Sequence, residues 1–316
     1  MPNVTEQTPV YKSRASRFRV AGRFKTAKQR EARAGYFFIL PTVLGYLIFI
    51  LGPIVAAFVL SFTEYDILSP PEFVGLDNYS EMLSDERLRL VYGNTFIFTF
   101  VVVFANVVLG LLLAVALNRK LPAVVRNIFR TVYFFPILVA MIYVSMIWQF
   151  WLSEDLGVAN YYLEQIGLGP VPWLSSSNWA LWSIMIVYIW KSLGFTMMTS
   201  LAGLQNISQD YYEASALDGA GPIRQFFNIT VPLVSPVLLF NIIISFINAF
   251  QEFDAMVVLT GGGPGDASRS IVYYIYEQAF QSFEMGYASA IALTLFVVIM
   301  LVTLLQFWLS RRWVHY

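Results

Sequence analysis

The chain has 316 residues, 58% hydrophobic and 13% charged, with a formal net charge of +0 and a mean hydropathy of +0.63. A soluble globular chain carries about 25% charged residues, so lipid is the expected solvent for most of this one. The absence of cysteine excludes a disulfide framework, a thiolate metal site and a cysteine nucleophile.

Residues 1–35 are polar and basic, with Lys12, Arg14, Arg17, Arg19, Arg23, Lys25, Lys28, Arg30 and Arg33. A secretory signal would place a short apolar core earlier and end at a small-residue cleavage site. The segment is therefore read as a retained cytoplasmic tail. Nothing downstream supports a nucleic-acid-binding arm, and no nucleic acid partner is expected.

A spanning helix needs about 20 mostly apolar residues. Six segments meet that length: Tyr36–Phe62, Asn94–Leu117, Phe129–Leu152, Trp179–Leu204, Pro232–Leu259 and Tyr287–Ser310. Pro41, Pro53 and Pro136 are expected to kink their helices. The fold class predicted is an all-α membrane protein, with a six-helix transmembrane domain over 36–310 and a short tail at 311–316. Lys and Arg fix the orientation. With the N-terminus in the cytoplasm, sixteen of them are inside, including Arg119, Lys120, Arg126, Arg130, Arg224, Arg311 and Arg312, while Arg87, Arg89 and Arg269 are outside. Both termini are then cytoplasmic, and so is the polar insert at about 206–231, between spans four and five.

That insert carries its own helix signals. Ser208 suits an N-cap and Asp210 the first turn. Gly219 suits a left-handed helix end, and Pro222 the first turn of a second helix. Ala214, Ser215 and Ala216 keep one surface small, which suits close approach by another protein. The stretch from Glu213 to Pro236, EASALDGAGPIRQFFNITVPLVSP, closely resembles the EAA loop of permease subunits in binding-protein-dependent ABC importers. FVGLDNY ending at Tyr79, WKSLGF at Trp190–Phe195, AGLQ at Ala202–Gln205, TGGGP from Thr260 and YEQAF at Tyr276–Phe280 look like the carbohydrate-uptake, maltose-type branch.

The resemblance implies a coupling helix in which Glu213, Ala214, Leu217, Asp218, Gly219 and Gly221 seat in a cytoplasmic ATPase. It further implies a heterodimer with a second permease subunit, two ATPase subunits and an extracytoplasmic sugar-binding protein. The location implied is a bacterial cytoplasmic membrane, crossed several times. No cofactor is expected on this chain, since ATP and Mg belong to the partner ATPase.

Polar groups inside a bilayer are costly and face protein or water. In the fifth span Asn241, Ser245, Asn248 and Glu252 recur at helical spacing, so they are expected to share one face, lining a sugar pathway. Interhelical hydrogen bonds are the competing account of the same stripe. Lys191 is a second anomaly, in the middle of span four, and Glu252 is a conceivable partner for it. In maltose-type relatives the sugar contacts come from the spans flanking the loop, and Ser192 and Phe195 match that region.

The glycine run at Gly261–Gly263 lacks the Lys-Ser/Thr end of a phosphate loop. The only histidine, His315, lies in the tail, and there is no zinc motif or nucleophile elbow. No catalytic or metal site is expected. The function read from the sequence is a permease subunit of an ATP-driven sugar importer. Glycerol-3-phosphate or a polyol is an alternative cargo, and a stand-alone secondary transporter is the rival class.

Overall fold

The computed structural model of the chain describes residues 21–119 and 121–314. Lys12, Arg14, Arg17 and Arg19 of the basic tail lie outside the described residues, as do Lys120 and His315. The chain divides into two compact units, Met1–Ala56 and Ala57–Tyr316.

The first unit is helical. Helix α1 runs Ala21–Tyr46, so helix starts well inside the basic stretch rather than at Tyr36. A π-helical turn, Leu47–Leu51, leads into α2, Gly52–Leu60, which runs on past the unit boundary. The wide turn has a local cause. Pro53 has no N–H to continue the ladder, and the Gly52 N–H just before it bonds back five residues to Leu47. The same device recurs in the second unit. The π-helical segment Phe226–Thr230 ends where the Val231 N–H bonds to the Phe226 carbonyl, immediately before Pro232.

The second unit opens with a small antiparallel ribbon, β1 (Thr63–Glu64) against β2 (Glu72–Phe73), with Thr63 opposite Phe73. Helix α3 (Asp77–Ser84) follows, and its Asn78 amide donates to the Ser61 and Thr63 carbonyls, pinning the ribbon. Then come α4 (Glu86–Asn118), α5 (Ala123–Phe134), α6 (Met141–Trp151), α7 (Val158–Gln165), α8 (Ala180–Gln205), α9 (Gln209–Leu217), α10 (Pro222–Gln225), α11 (Val231–Phe250), α12 (Asp254–Thr260), α13 (Ile271–Phe280) and α14 (Met285–Ser310).

Among the described residues, five helical stretches are long and apolar enough to cross a membrane: Glu31–Leu60, Glu86–Asn118, Ala180–Gln205, Pro222–Phe250 and Met285–Ser310. The sixth expected span, Phe129–Leu152, is not one helix. Ala123–Leu138 and Met141–Trp151 meet at a 103° bend. Pro136 tightens the chain into a 3₁₀ turn, and Val139 and Ala140 are extended, which breaks the ladder outright. The fifth span is also corrected. It starts earlier and stops at Phe250, because Gln251 and Glu252 turn the chain before α12 begins.

Two apolar clusters hold the unit. One joins Phe98, Val102, Ile184, Met185, Phe246, Phe250 and Ile291; the other joins Leu111, Ala114, Met197, Leu201, Leu204, Val234 and Leu238. In lipid such clusters gain from close van der Waals contact more than from leaving water. Contact is close at Gly194 of α8, where a Cβ would lie 2.0 Å from the Tyr133 carbonyl oxygen of α5. Only glycine permits that approach.

At the α13 end, charge and hydroxyl groups lace separate elements together. Asp85 caps α4 through the Leu88 N–H at 2.9 Å, and its other oxygen accepts from the Tyr274 and Tyr287 hydroxyls at 2.8 and 2.7 Å. Burial pushes the Asp85 carboxyl up, but these bonds outweigh it and hold the group below its ordinary range. Beside it, Arg87 bonds Asp266 at 2.7 Å and Glu277 at 2.9 Å, and Arg269 pairs with the same two carboxylates.

Candidate functional site

Two sites emerge, a polar cavity in the helical bundle and an exposed helical hairpin. The cavity has a volume of about 520 Å³ and is built from α4, α8, α11 and the broken α5–α6 pair. Its polar lining is Asn106, Lys191, Ser192, Ser245, Asn248, Gln251 and Glu252. Tyr188, Phe195, Ile137, Met141 and Ile244 supply apolar and aromatic wall. This is the size and mixed chemistry of a small-molecule pocket.

Ser192, Phe195, Ser245, Asn248 and Glu252 all line it, and of these Ser245 and Asn248 do so from the helical face that their spacing defines. Asn241 is not among them. It is fully buried one turn deeper, where its oxygen accepts from Thr199 at 2.7 Å and its nitrogen donates to Ser200 at 3.1 Å. The correction has a plain cause: helical spacing fixes a face but not a depth, and at this depth α8 offers two hydroxyls. Asn241 thus ties α8 to α11. Glu252 reaches the cavity from the turn beyond α11 rather than from its helical face. One of its oxygens accepts from the Ala255 N–H at 2.8 Å, and its carbonyl accepts from Ser270 at 2.9 Å.

Lys191 lines the same cavity, but among the described residues the ion pairs are confined to the Arg87–Arg269 network. The conceivable pair of Lys191 with Glu252 is not among them. Asn106, Tyr188 and Gln251 were not foreseen as lining residues. Asn106 carried a usable signal, an amide in the middle of a long apolar helix. The same residues give no group of three or more metal-ligating side chains.

The hairpin is α9, a glycine turn and α10. Ser208 caps α9 by accepting from the Asp210 N–H. At the other end Gly219 adopts φ +79°. The Gly219 N–H bonds to the Ala216 carbonyl and the Ala220 N–H to the Ser215 carbonyl, the paired reverse bonds of a Schellman turn. Gly221 precedes Pro222 at the first position of α10. The two helices are clasped by the Gln225 amide, which donates to the Tyr212 carbonyl at 3.1 Å and to Ser215 Oγ at 2.9 Å. Tyr212 and Thr230 hydroxyls join at 3.0 Å.

The hairpin's shape is thus set internally, leaving its outer side free. Glu213, Ala214, Leu217, Asp218, Gly219 and Gly221 are all exposed. Leu217 is 90% exposed and Ile223 77%, two large apolar side chains left uncovered on the hairpin.

Comparison with known proteins gives concordant matches. The profile of a family described as "Binding-protein-dependent transport system inner membrane component" matches residues 106–315. The trehalose/maltose transport system permease protein of Thermococcus litoralis is 37% identical over 286 residues, covering 90% of this chain and 96% of that one. The arabinooligosaccharides transport system permease protein of Bacillus subtilis is 34% identical over 281 residues, 88% of each. Among solved structures, a chain of a bacterial alginate ABC transporter, in complex with an alginate pentasaccharide-bound periplasmic protein, superposes with a TM-score of 0.81. It shares 23% identity over 90% of this chain and 96% of that chain.

Proposed function

Since the chain belongs to the family of binding-protein-dependent transport system inner membrane components, we propose that its cavity is where a sugar crosses the membrane. The protein is a multi-pass permease subunit of an ABC sugar importer. It is a transport subunit and not an enzyme. Its relatives are permeases for trehalose and maltose and for arabinooligosaccharides, and an oligosaccharide is the cargo we assign here.

The observation that carries this reading is the cavity itself. Most of its polar groups come from α8, from α11 and from the turn just beyond α11, the helices on either side of the exposed hairpin, and Asn106 of α4 adds one more. Hydroxyl-rich rings need donors and acceptors in alternation, and Lys191, Ser192, Ser245, Asn248, Gln251 and Glu252 supply both. Aromatic and apolar walls suit the carbon faces of the rings.

The hairpin is the coupling element in this mechanism. Both termini and the hairpin lie in the cytoplasm, as the Lys and Arg distribution argues. A partner ATPase receives Glu213–Gly221 in a groove, with Leu217 as its apolar anchor. Two ATPase copies bind and hydrolyse ATP with Mg, one under this subunit and one under a second, similar permease. An extracytoplasmic binding protein delivers the sugar. Closure of the ATPases pushes the hairpin, whose internal clasp transmits the displacement to α8 and α11 as a unit. The cavity then changes the side on which it opens, a two-state element biased from both ends.

The test is cysteine accessibility, clean in a subunit with no cysteine of its own. Ser245→Cys and Asn248→Cys should react with a small water-soluble maleimide. Asn241→Cys and Phe246→Cys, at buried positions, should react slowly. Adding ATP and the loaded binding protein should change the first pair of rates. Equal labelling at all four positions would sink the cavity as the pathway.

A further inference from the structure

We propose that Asn106 of α4 is a sugar-contacting residue, its amide oxygen accepting a hydrogen bond from a saccharide hydroxyl. The inference rests on the cavity being the sugar's path. It adds a contact from α4 to a cavity whose other polar groups come from α8, α11 and the turn beyond α11, and it fixes the chemistry of the group received there.

Asn106 is 1% exposed and lines the cavity. Its orientation follows from its neighbours. The Ser192 hydroxyl donates its one hydrogen to the Tyr188 carbonyl at 2.6 Å. Its oxygen is then left to accept, and it accepts from Asn106 Nδ2 at 2.9 Å. A flipped amide would set two acceptors against each other. The nitrogen therefore faces Ser192, and Oδ1 has no hydrogen-bond partner among the described residues.

A buried amide oxygen without a donor is costly, and a native fold rarely keeps one without use. A mere tie between α4 and α8 explains the nitrogen and leaves the oxygen unexplained. A serine at the same place would tie the helices without leaving a second acceptor unpaired beside the cavity. An amide oxygen accepts only. It therefore favours a hydroxyl and opposes the oxygens of a carboxylate, sulfate or phosphate, which bring no hydrogen. The ring presented to Asn106 must offer a hydroxyl, whatever charge the rest of the molecule bears.

The complete importer, with both permeases, the ATPases and the binding protein, is reconstituted in liposomes. Maltotriose, arabinotriose and a mannuronate trisaccharide are offered as probes. Whichever is taken up is then scanned as single-deoxy analogues against wild type, Asn106→Leu and Asn106→Ala. Uptake of the parent sugar at sub-saturating concentration should fall about tenfold in either variant. One deoxy analogue, lacking the hydroxyl that meets Oδ1, should be carried equally by wild type and variants. The alanine variant keeps the comparison intact if leucine prevents assembly. A uniform loss across every analogue, or none at all, overturns the contact while leaving the cavity as the pathway. Failure of wild type to carry any of the three probes overturns the saccharide reading itself, and this inference with it.

Discussion

Replacing Gly194 by alanine tests whether the broken third span is held by backbone contact. The added Cβ would lie 2.0 Å from the Tyr133 oxygen, 2.8 Å from its carbonyl carbon and 3.0 Å from Phe134 Cα. All three are main-chain atoms, so no rotamer change relieves them. Restoring ordinary contact moves α5 off α8 by more than an ångström. Overpacking of this kind costs about 1–3 kcal/mol. Alanine recovers about 1 kcal/mol of helix propensity over glycine, leaving a net loss of up to about 2 kcal/mol. Gly203 on the same helix is the internal control. There a Cβ meets only the methyl groups of Val237 and Val234, at 2.8 and 2.9 Å. These side chains can shift, and the propensity gain should roughly cancel the crowding. The assay is the denaturation midpoint of the purified importer, read together with sugar uptake. Gly194→Ala should lower both, since α5 runs on to Ile137 and Met141 at the cavity wall. Equal midpoints for Gly194→Ala and Gly203→Ala would refute the reasoning.

Two further outcomes follow from the hairpin and the charge network. Gly219→Pro cannot adopt φ +79°; it should uncouple ATP hydrolysis from uptake or weaken ATPase assembly, with sugar binding to the binding protein unchanged, as stimulated ATPase rates will report. The Asp266 carboxyl is held low, first by the Arg87 hydrogen bond and then, against the upward push of burial, by Arg269. Its stabilising contribution is therefore complete above its ordinary pKa of about 4 and is lost as pH falls through the lower folded value. Hydrogen exchange in residues 260–270 should stay slow from neutral pH down to about pH 4 and quicken below. In Asp266→Asn that acid step should shrink, and an unchanged step would assign it to other groups.

Much of this architecture is legible in the chain because long apolar runs admit few alternatives in lipid. The hairpin is legible for a different reason. Ser208, Gly219 and Pro222 act on backbone within a few residues of themselves, and the structure has each in the expected local geometry. What escapes is what depends on distant chain. Pro136 announces a kink, but the extended Val139–Ala140 pair and its 103° bend reflect how α6 fits elsewhere. Spacing puts Asn241 on a face with Ser245 and Asn248, yet Thr199 and Ser200 decide that it is satisfied internally. Arg87 reads as one more outside cation, because its partners Asp266 and Glu277 lie 179 and 190 positions along the chain.

Those long separations also constrain the order of synthesis. The Asp85 carboxylate receives hydroxyls from Tyr274 and Tyr287, which are 189 and 202 residues downstream. When α4 first enters the bilayer, neither tyrosine has been made. Asp85 can cap its own helix through the Leu88 N–H at once, so α4 inserts as a finished element with one carboxylate oxygen still hydrated. The second oxygen gives up its water only when α13 and α14 arrive. Asp85 is thus a completion latch. A chain truncated before α14 would lack the Tyr287 hydroxyl and leave that latch half closed, with Tyr274 the one tyrosine left to donate to the second oxygen.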